Sequence, residues 1–169
     1  TLPICFTVLS QQMTSEALVD RLNDLFSAFD RVALKFNIEK IKTIGDCYMA
    51  VAGLFEKQEN HAESVLRMAF DLLEVIREFN EKFGMALSIR IGINSGEVVA
   101  GVIGKHKFIY DLWGDSVNIA SRMESHGVAG RIHVTRETYE ILKDRFSFEP
   151  RGPIEVKGKG KMETFFAVR

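Results

Sequence analysis

A short stretch that ends in Asp46 combines lysines with a carboxylate at a turn. Residues 40–46 read Lys-Ile-Lys-Thr-Ile-Gly-Asp, and strand alternation puts Lys40 and Lys42 on one side and Ile41 on the other. The carboxylate of Asp46, which follows Gly45, projects past the end of a strand pair, where it can hold a hard cation such as Mg²⁺. The alternative is that an aspartate after a glycine serves only the turn, and the residue types alone favour that simpler interpretation.

A second candidate site lies in residues 115–124, where Asn118 and Arg122 are four positions apart. That spacing places both side chains on one face of a helix. An amide beside a guanidinium offers several rigidly held donors, which suit the charge that develops on a phosphorus during phosphoryl transfer. The alternative is an exposed polar pair on an amphipathic helix whose other face is apolar.

Two further positions could bind phosphate. Residues 156–161 read Val-Lys-Gly-Lys-Gly-Lys, in which the glycines let the backbone approach an anion and Lys157 supplies a point charge. A solvated loop is an equally good interpretation of this stretch. Arg90 lies between two isoleucines, so it is either a residue of the sheet surface or a phosphate ligand.

The hydrophobic pattern predicts the elements that must position these residues. Apolar residues spaced three and four apart predict two long helices, and two shorter helices follow later in the chain. Helices are predicted over 14–36, 59–82, 115–125 and 135–143, and strands over 38–44, 47–52, 87–93, 98–103, 108–112, 131–134 and in a final hairpin over 154–168. This alternation predicts an α+β sandwich with one mainly antiparallel sheet and helices on one face.

Composition limits the class of protein. The chain has 169 residues, 46% of them hydrophobic and 27% charged, with a net charge of −1. These values predict one globular domain and argue against disorder and against a dedicated nucleic-acid binder. No apolar run is long enough for a membrane span. The two cysteines, Cys5 and Cys47, are too few for a disulfide framework and compatible with a reducing compartment, so we expect a cytoplasmic domain.

Four segments, taken in order, resemble the catalytic domains of class III nucleotidyl cyclases. They are the hairpin Lys-Ile-Lys-Thr-Ile-Gly-Asp-Cys-Tyr-Met-Ala-Val-Ala-Gly (40–53), the block that begins Arg-Ile-Gly-Ile-Asn-Ser-Gly (90–104), the block Tyr-Asp-Leu-Trp-Gly-Asp-Ser-Val-Asn (within 110–124) and Val-Lys-Gly-Lys-Gly (156–160). The resemblance runs from about residue 6 to residue 168. It implies a ferredoxin-like palm fold whose active sites form between two chains packed head to tail as a homodimer.

The resemblance also implies roles for individual residues. Asp46 would be one of two aspartates that bridge two Mg²⁺ or Mn²⁺ ions. Asn118 and Arg122 would hold the ribose and stabilise the transition state. Lys42 and Asp111 would read the purine, because a lysine can donate to N1 of adenine and a carboxylate can accept from its N6 amine. Guanylyl relatives typically carry Glu and often Cys at these two places, so the pair points to ATP.

The remaining roles concern the triphosphate. Arg90 and Lys157 would bind the β- and γ-phosphates, and Phe6 and Thr7, which match the end of the first family motif, would contact the substrate. The implied reaction converts ATP to 3′,5′-cyclic AMP and pyrophosphate, under the control of an upstream sensor or regulatory domain in the parent chain. The alternatives are a guanylyl cyclase and a catalytically silent domain that binds nucleotide or a partner domain.

One departure from the family pattern concerns the first metal aspartate. The family begins with a strand of the form Phe-x-Asp-Ile-x-x-Phe-Thr, whereas no acidic residue precedes Phe6 in this sequence. Residues 1–4 resemble the end of the helical linker that precedes such domains. We therefore expect a linker over residues 1–4 and the catalytic domain over residues 5–169. We also expect that a segment between Ile4 and Cys5, with the aspartate and its strand, is absent from the sequence.

Overall fold

Strands and helices alternate along the chain much as the hydrophobic pattern predicts. The structure is a computed structural model that describes residues 1–7, 15–55, 58–104 and 108–169. Its strands are β1 (Leu2–Thr7), β2 (Glu39–Ile44), β3 (Cys47–Val51), β4 (Ser88–Ile93), β5 (Val99–Ile103), β6 (Ile109–Trp113), β7 (Ile132–Thr135), β8 (Ser147–Val156) and β9 (Gly160–Val168). Its helices are α1 (Ser15–Lys35), α2 (His61–Phe83), α3 (Asp115–Ser125) and α4 (Arg136–Leu142).

Seven of these strands form one sheet in the order β2-β3-β1-β4-β7-β9-β8. The neighbours β4 and β7 run parallel, and the other neighbouring strands pair antiparallel. Strands β5 and β6 form a separate antiparallel pair. The prediction of an α+β fold with a mainly antiparallel sheet is therefore confirmed.

The main core lies on one face of this sheet, under α1, α2 and α4. Alternate residues of β4, namely Ile89, Ile91 and Ile93, are buried there. Leu25 and Phe29 of α1 meet them in the same cluster, with Leu66, Met68 and Leu72 of α2. Burial of this apolar surface is the dominant stabilising contribution to the fold.

Helix α3 differs from the prediction of helices on one face, because it packs on the opposite face of the sheet. Its neighbours are β4, β1 and β7, and the β4 residues that face it, Arg90 and Gly92, alternate with the buried isoleucines. A Cβ atom at Gly92 would lie 2.2 Å from the backbone nitrogen of Glu124 in α3. The absence of a side chain at position 92 is what lets the helix backbone rest on the strand.

Strands β1 and β8 include residues for which the hydrophobic pattern predicted no strand. The predicted boundary between Ile4 and Cys5 falls inside β1, and Leu2 and Ile4 are fully buried in the main core. Strand β8 begins at Ser147, earlier than predicted, although it contains two prolines. It lies at the edge of the sheet and its register shifts between Pro150 and Gly152, which is where a sheet tolerates proline.

The two cysteines are paired, although their number predicted no disulfide framework. Cys5 of β1 and Cys47 of β3 are direct partners in the antiparallel register, with Cα atoms 4.2 Å apart, and their sulfur atoms form a disulfide. In the part of the chain that the structure describes, no helix is long and apolar enough to cross a membrane.

Candidate active site

The hairpin between β2 and β3 presents Asp46 at its tip. Ile44 pairs with Cys47, so Gly45 and Asp46 alone make the turn, and Gly45 adopts a left-handed φ of 57° that a glycine takes without strain. The Asp46 side chain is exposed to solvent. Below the turn, the buried Tyr48 donates its hydroxyl to Asp30 of α1 at 2.9 Å, which anchors the hairpin on that helix.

The two predicted purine readers lie side by side. The Lys42 ammonium of β2 donates directly to the carboxylate of Asp111 on β6, and both side chains are partly buried. The backbone N–H of Leu112 donates to the other carboxylate oxygen of Asp111 at 2.8 Å. Partial burial raises the pKa of Asp111, but the bonds from Lys42 and Leu112 outweigh it and hold that pKa below its usual value. The pair is thus a cation and an ionised carboxylate on one surface.

Helix α3 presents Asn118 and Arg122 on its solvent face. Both side chains are exposed, and neither has a hydrogen-bond or ion-pair partner within residues 1–7, 15–55, 58–104 and 108–169. The opposite face of the helix buries Ala120 and Met123 against the sheet. As predicted, then, an amide and a guanidinium share one accessible face, where their donors are available to a ligand.

The glycine hairpin between β8 and β9 carries Lys157 and Lys159. Gly158 and Gly160 both have positive φ angles, 82° and 74°, which the tight tip requires. Lys159 binds the Asp115 carboxylate in the first turn of α3, with Nζ and Oδ2 2.5 Å apart. Lys157 is exposed on the same tip. The hairpin is therefore tied to the start of the helix that carries Asn118.

Arg90 makes a specific contact with α3. Its Nε atom donates to Oε1 of Glu124 at 2.9 Å, and the Glu124 side chain is only 7% exposed, whereas that of Arg90 is 30% exposed. Arg90 therefore holds the last turn of α3 on β4 and keeps part of its guanidinium at the surface. Phe6 and Thr7 belong to β1, where they pair with Ile89 and Ser88, but their side chains lie outside the described residues.

The surroundings of Asp46 do not fit a pair of metal ions bridged by two carboxylates. Strands β1 and β4 contain no acidic residue, and the β1 position opposite Cys47 is the disulfide-bonded Cys5. Across the described parts of the chain, no group of three or more His, Cys, Asp or Glu side chains could hold a metal ion. Asp46 can supply one hard oxygen ligand, and this end of β1 supplies none.

Sequence reasoning missed the residues that hold α3 in place. His133 of β7 is fully buried, and its Nδ1 atom donates to the carbonyl of Met123 at 2.7 Å. Asn94 is 3% exposed and donates to the carbonyl of Ser116 at 3.0 Å. Gly92 carried a usable signal, since a glycine inside a strand often marks a close approach of another backbone. His133 and Asn94 gave no such signal, because only the fold shows that their side chains face the backbone of α3.

Comparison with known families gives a match over nearly the whole chain. Residues 4–169 match the family described as the adenylate and guanylate cyclase catalytic domain. The chain is 45% identical over 165 residues to the receptor-type guanylate cyclase gcy-28 of Caenorhabditis elegans. It is 42% identical over 163 residues to an adenylate cyclase of Mycobacterium tuberculosis. These matches cover 95% and 96% of the chain but only 13% and 37% of the two relatives.

Solved structures show the same similarity. The guanylate cyclase domain of RhGC from Catenaria anguillulae, in complex with GTP, is 39% identical with a TM-score of 0.91, over 99% of this chain and 95% of that chain. The adenylyl cyclase CyaB from P. aeruginosa is 28% identical with a TM-score of 0.93, over 99% of this chain and 92% of that chain. Relatives of both nucleotide types are thus close, and similarity alone does not choose between ATP and GTP.

Proposed function

The chain belongs to the adenylate and guanylate cyclase catalytic domain family, and within it we propose that this domain converts ATP to 3′,5′-cyclic AMP and pyrophosphate. The observation that carries the choice of ATP is the contact between Lys42 and Asp111. Adenine offers an acceptor at N1 and a donor at its N6 amine, which match an ammonium donor and a carboxylate acceptor. Guanine reverses both, with a donor at N1 and an acceptor at O6, so the same pair opposes GTP.

Charge at this pair supports the assignment. The lowered pKa of Asp111 keeps its carboxylate ionised at neutral pH, so it can only accept hydrogen bonds. Lys42 can only donate. Because the two groups already touch, a purine edge that reaches one also reaches the other. When adenine binds, the ion pair between Lys42 and Asp111 is replaced by one hydrogen bond from Lys42 to N1 and one from the N6 amine to Asp111.

In the proposed reaction the ribose 3′-oxygen forms a bond to the α-phosphorus, and the bond from that phosphorus to the oxygen of the leaving pyrophosphate breaks. The 3′-hydroxyl proton passes to solvent. Asn118 donates to the ribose and Arg122 donates to the oxygens that gain charge in the transition state. Lys157, on the hairpin tied to α3 through Lys159, neutralises part of the charge of the triphosphate.

Domains of this class generally use divalent metal ions. For this chain we propose only that Asp46 is one ligand for such an ion, since β1 brings no second carboxylate to it. Arg90 remains a proposed ligand of the β- and γ-phosphates through the part of its guanidinium that Glu124 does not occupy.

We propose that the complete site is shared by two copies of the chain packed head to tail. Asp46 and Arg90 come from one copy, and the residues that face the base, ribose and leaving group come from the other: Lys42, Asp111, Asn118, Arg122 and Lys157. An exposed apolar surface on and beside the β5–β6 pair supports an association. Val99, Val102, Ile103 and Phe108 are each at least 59% exposed, and large exposed apolar side chains grouped on one strand pair are typical of interaction surfaces.

A second candidate function is favoured by Cys5, because this cysteine lies opposite Cys47, beside Asp46, and is no carboxylate ligand for a metal ion. If no second carboxylate reaches Asp46, the domain binds ATP without converting it to product and regulates a partner domain. Two measurements test both candidates. Product formation is assayed with ATP and with GTP, each with Mg²⁺ and with Mn²⁺, and the binding of each nucleotide is measured by calorimetric titration. Cyclic AMP as the main product supports the first proposal. Tight binding of ATP without product supports the second, and cyclic GMP as the main product refutes the choice of ATP.

A further inference from the structure

Asn94, just beyond the end of β4, uses both ends of its amide in the protein interior. Its Nδ2 atom donates to the carbonyl of Ser116 in the first turn of α3 at 3.0 Å. Its Oδ1 atom accepts from the hydroxyl of Thr135 at 2.8 Å. Asn94 is 3% exposed and Thr135 is fully buried. A buried amide that is satisfied at both ends fixes the distance and direction of the groups it joins.

The amide belongs to a longer network that ties α3 to the rest of the domain. The Thr135 hydroxyl, at the N-terminus of α4, also accepts from the backbone N–H of Thr138 at 3.4 Å. The Thr138 hydroxyl in turn bonds the hydroxyl of Ser95 at 3.1 Å. One connected set of hydrogen bonds therefore joins the first turn of α3 to the end of β4, to β7 and to the start of α4.

The last turns of α3 are held separately from its first turn. Arg90 binds Glu124, His133 binds the carbonyl of Met123, and Gly92 lets the helix backbone rest directly on β4. These contacts fix the helix near residues 120–124. The first turn, two residues before Asn118, is held by the 3.0 Å bond from Asn94, by a longer bond of 3.5 Å from the Thr1 hydroxyl to the same carbonyl, and by the exposed ion pair of Lys159 with Asp115. The bond from Asn94 is the shorter of the two to that carbonyl, so its loss weakens the hold on the start of the helix while the end stays attached.

We propose that Asn94 is a positioning residue that acts through Ser116 to set the position of Asn118 and Arg122. It does not touch the substrate. The proposal rests on the proposed function, because it assigns Asn94 a part in the same site. A displacement of a reacting group by about 1 Å can lower a rate about 10²-fold. The chemical step, rather than nucleotide binding, is therefore where the effect of Asn94 is expected.

The test compares Asn94→Asp with Asn80→Asp. Asn80, near the end of α2, is a matched control because its amide also donates to a carbonyl and accepts from an N–H, both of Leu87 and both at 2.8 Å. In either variant the carboxylate keeps its acceptor role and loses the donated bond. We expect kcat to fall about 10²-fold in Asn94→Asp with little change in KM, and to stay at the wild-type level in Asn80→Asp. Equal losses of kcat in the two variants would overturn the proposal.

A second pair of variants covers the case in which Asn94→Asp does not fold. Thr135→Val removes the donor to Asn94, whereas Thr135→Ser retains the hydroxyl. We expect Thr135→Val to lower kcat and Thr135→Ser to keep the wild-type value. A loss of the same size in both variants would contradict a role for this hydrogen bond.

Hydrogen exchange separates the failure of this proposal from the failure of the proposed function. Exchange of the α3 amides from Ile119 onward, which donate to the carbonyls of the first turn, is measured in the wild type, in Asn94→Asp and in Asn80→Asp, without nucleotide. Faster exchange in α3 for Asn94→Asp alone supports the positioning role, even if the wild type forms no cyclic nucleotide. Unchanged exchange in α3 refutes it, whether or not the wild type is active.

Discussion

Lys42 and Asp111 are separated by 69 positions in the sequence, yet their charged groups touch. Neither residue is unusual alone, since a lysine on a strand and an aspartate on a strand are both commonly solvated. Their significance comes from the complementary set of one donor and one acceptor that they form together. In the proposed assignment, selectivity for the base is a property of the pair, so both members are changed together.

The double variant Lys42→Glu with Asp111→Cys is expected to shift preference from ATP toward GTP. A buried polar group left without a partner costs about 1–3 kcal/mol, so ATP should lose roughly one to two decades in kcat/KM. Initial rates with each nucleotide at matched concentration measure the ratio. Lys40→Glu is the matched control, because Lys40 lies on the same strand but pairs with Asp30 of α1. An unchanged ratio in the double variant would contradict the assignment.

His133 makes a separate prediction about stability and pH. Burial lowers the pKa of His133 from 6.5 to about 4, although the bond to the Met123 carbonyl opposes that shift and the charges of Arg151 and His126 add to it. The folded state therefore favours the neutral ring. Its contribution to stability is complete above about pH 6.5 and is lost as the pH falls toward 4. A difference of about 2.5 pKa units corresponds to roughly 3 kcal/mol.

Denaturant unfolding between pH 7 and pH 4 measures this loss. We expect His133→Gln to unfold with a shallower dependence on pH than the wild type over this range. His61→Gln, at the start of α2 and not among the groups that act on His133, is the control and should keep the wild-type slope. If His133→Gln and the wild type lose stability in parallel on acidification, the buried imidazole does not account for the pH dependence.

At the scale of elements, α3 is the part whose placement matters most for the site. It carries Asn118 and Arg122 on one face and rests on β4 with the other. Gly92 is the closest point, because a Cβ atom there would lie 2.2 Å from the nitrogen of Glu124 and 2.6 Å from the carbonyl oxygen of Ala120. Both are backbone atoms of a helix, so neither can move aside without moving the helix.

Gly92→Ala is therefore expected to destabilise the domain by about 1–3 kcal/mol, the usual cost of overpacking a close contact. Lifting α3 from the sheet should also lower turnover by more than the loss of folded protein explains. Denaturant unfolding and activity per folded molecule measure the two effects. Gly101→Ala on β5, where the nearest atom belongs to the Trp113 ring at 3.3 Å, should change stability little. Equal behaviour of the two alanine variants would argue against the close approach as the cause.

At the scale of the whole molecule, the hairpin limits what one copy of the chain can do. Lys42 and Asp46 lie four residues apart, about 13 Å if the strand is fully extended. In the proposed shared site, each hairpin gives Lys42 to one nucleotide and Asp46 to the other, as two copies related by a two-fold axis allow.

Mixing two inactive variants tests the shared site. Asp46→Ala and Arg122→Ala should each be inactive alone, because every site in either homodimer lacks one group. After subunit exchange about half of the dimers are mixed, and each has one intact site of two, so activity should recover to about a quarter of the wild type. Activity of the wild type should also fall on dilution. Mixtures that stay inactive once exchange is shown would refute a site built from two chains.

The sequence alone determined the order of the elements from α1 onward, because the spacing of apolar residues depends only on local periodicity. It placed α2, the hairpin of Asp46 and the helix of Asn118 and Arg122 close to their observed bounds. The sequence also indicated the family, since the family motifs are continuous stretches of residues that can be read without the structure. It predicted no strand over Leu2–Thr7, where β1 lies, and it placed only the last residues of β8. The earlier part of β8 contains prolines, which a sheet tolerates at its edge, and only the fold makes β8 an edge strand.

The tertiary structure alone decided the contacts between distant residues. Three contacts join positions that local periodicity cannot relate. They are the disulfide between Cys5 and Cys47, the contact of Lys42 with Asp111 and the packing of α3 on Gly92. The physical reason is that these contacts depend on strand order and register, which the packing of the whole core sets. The role of Asn94 could not be predicted from the sequence either, because its amide acquires its two hydrogen-bond partners, Ser116 and Thr135, only in the folded structure.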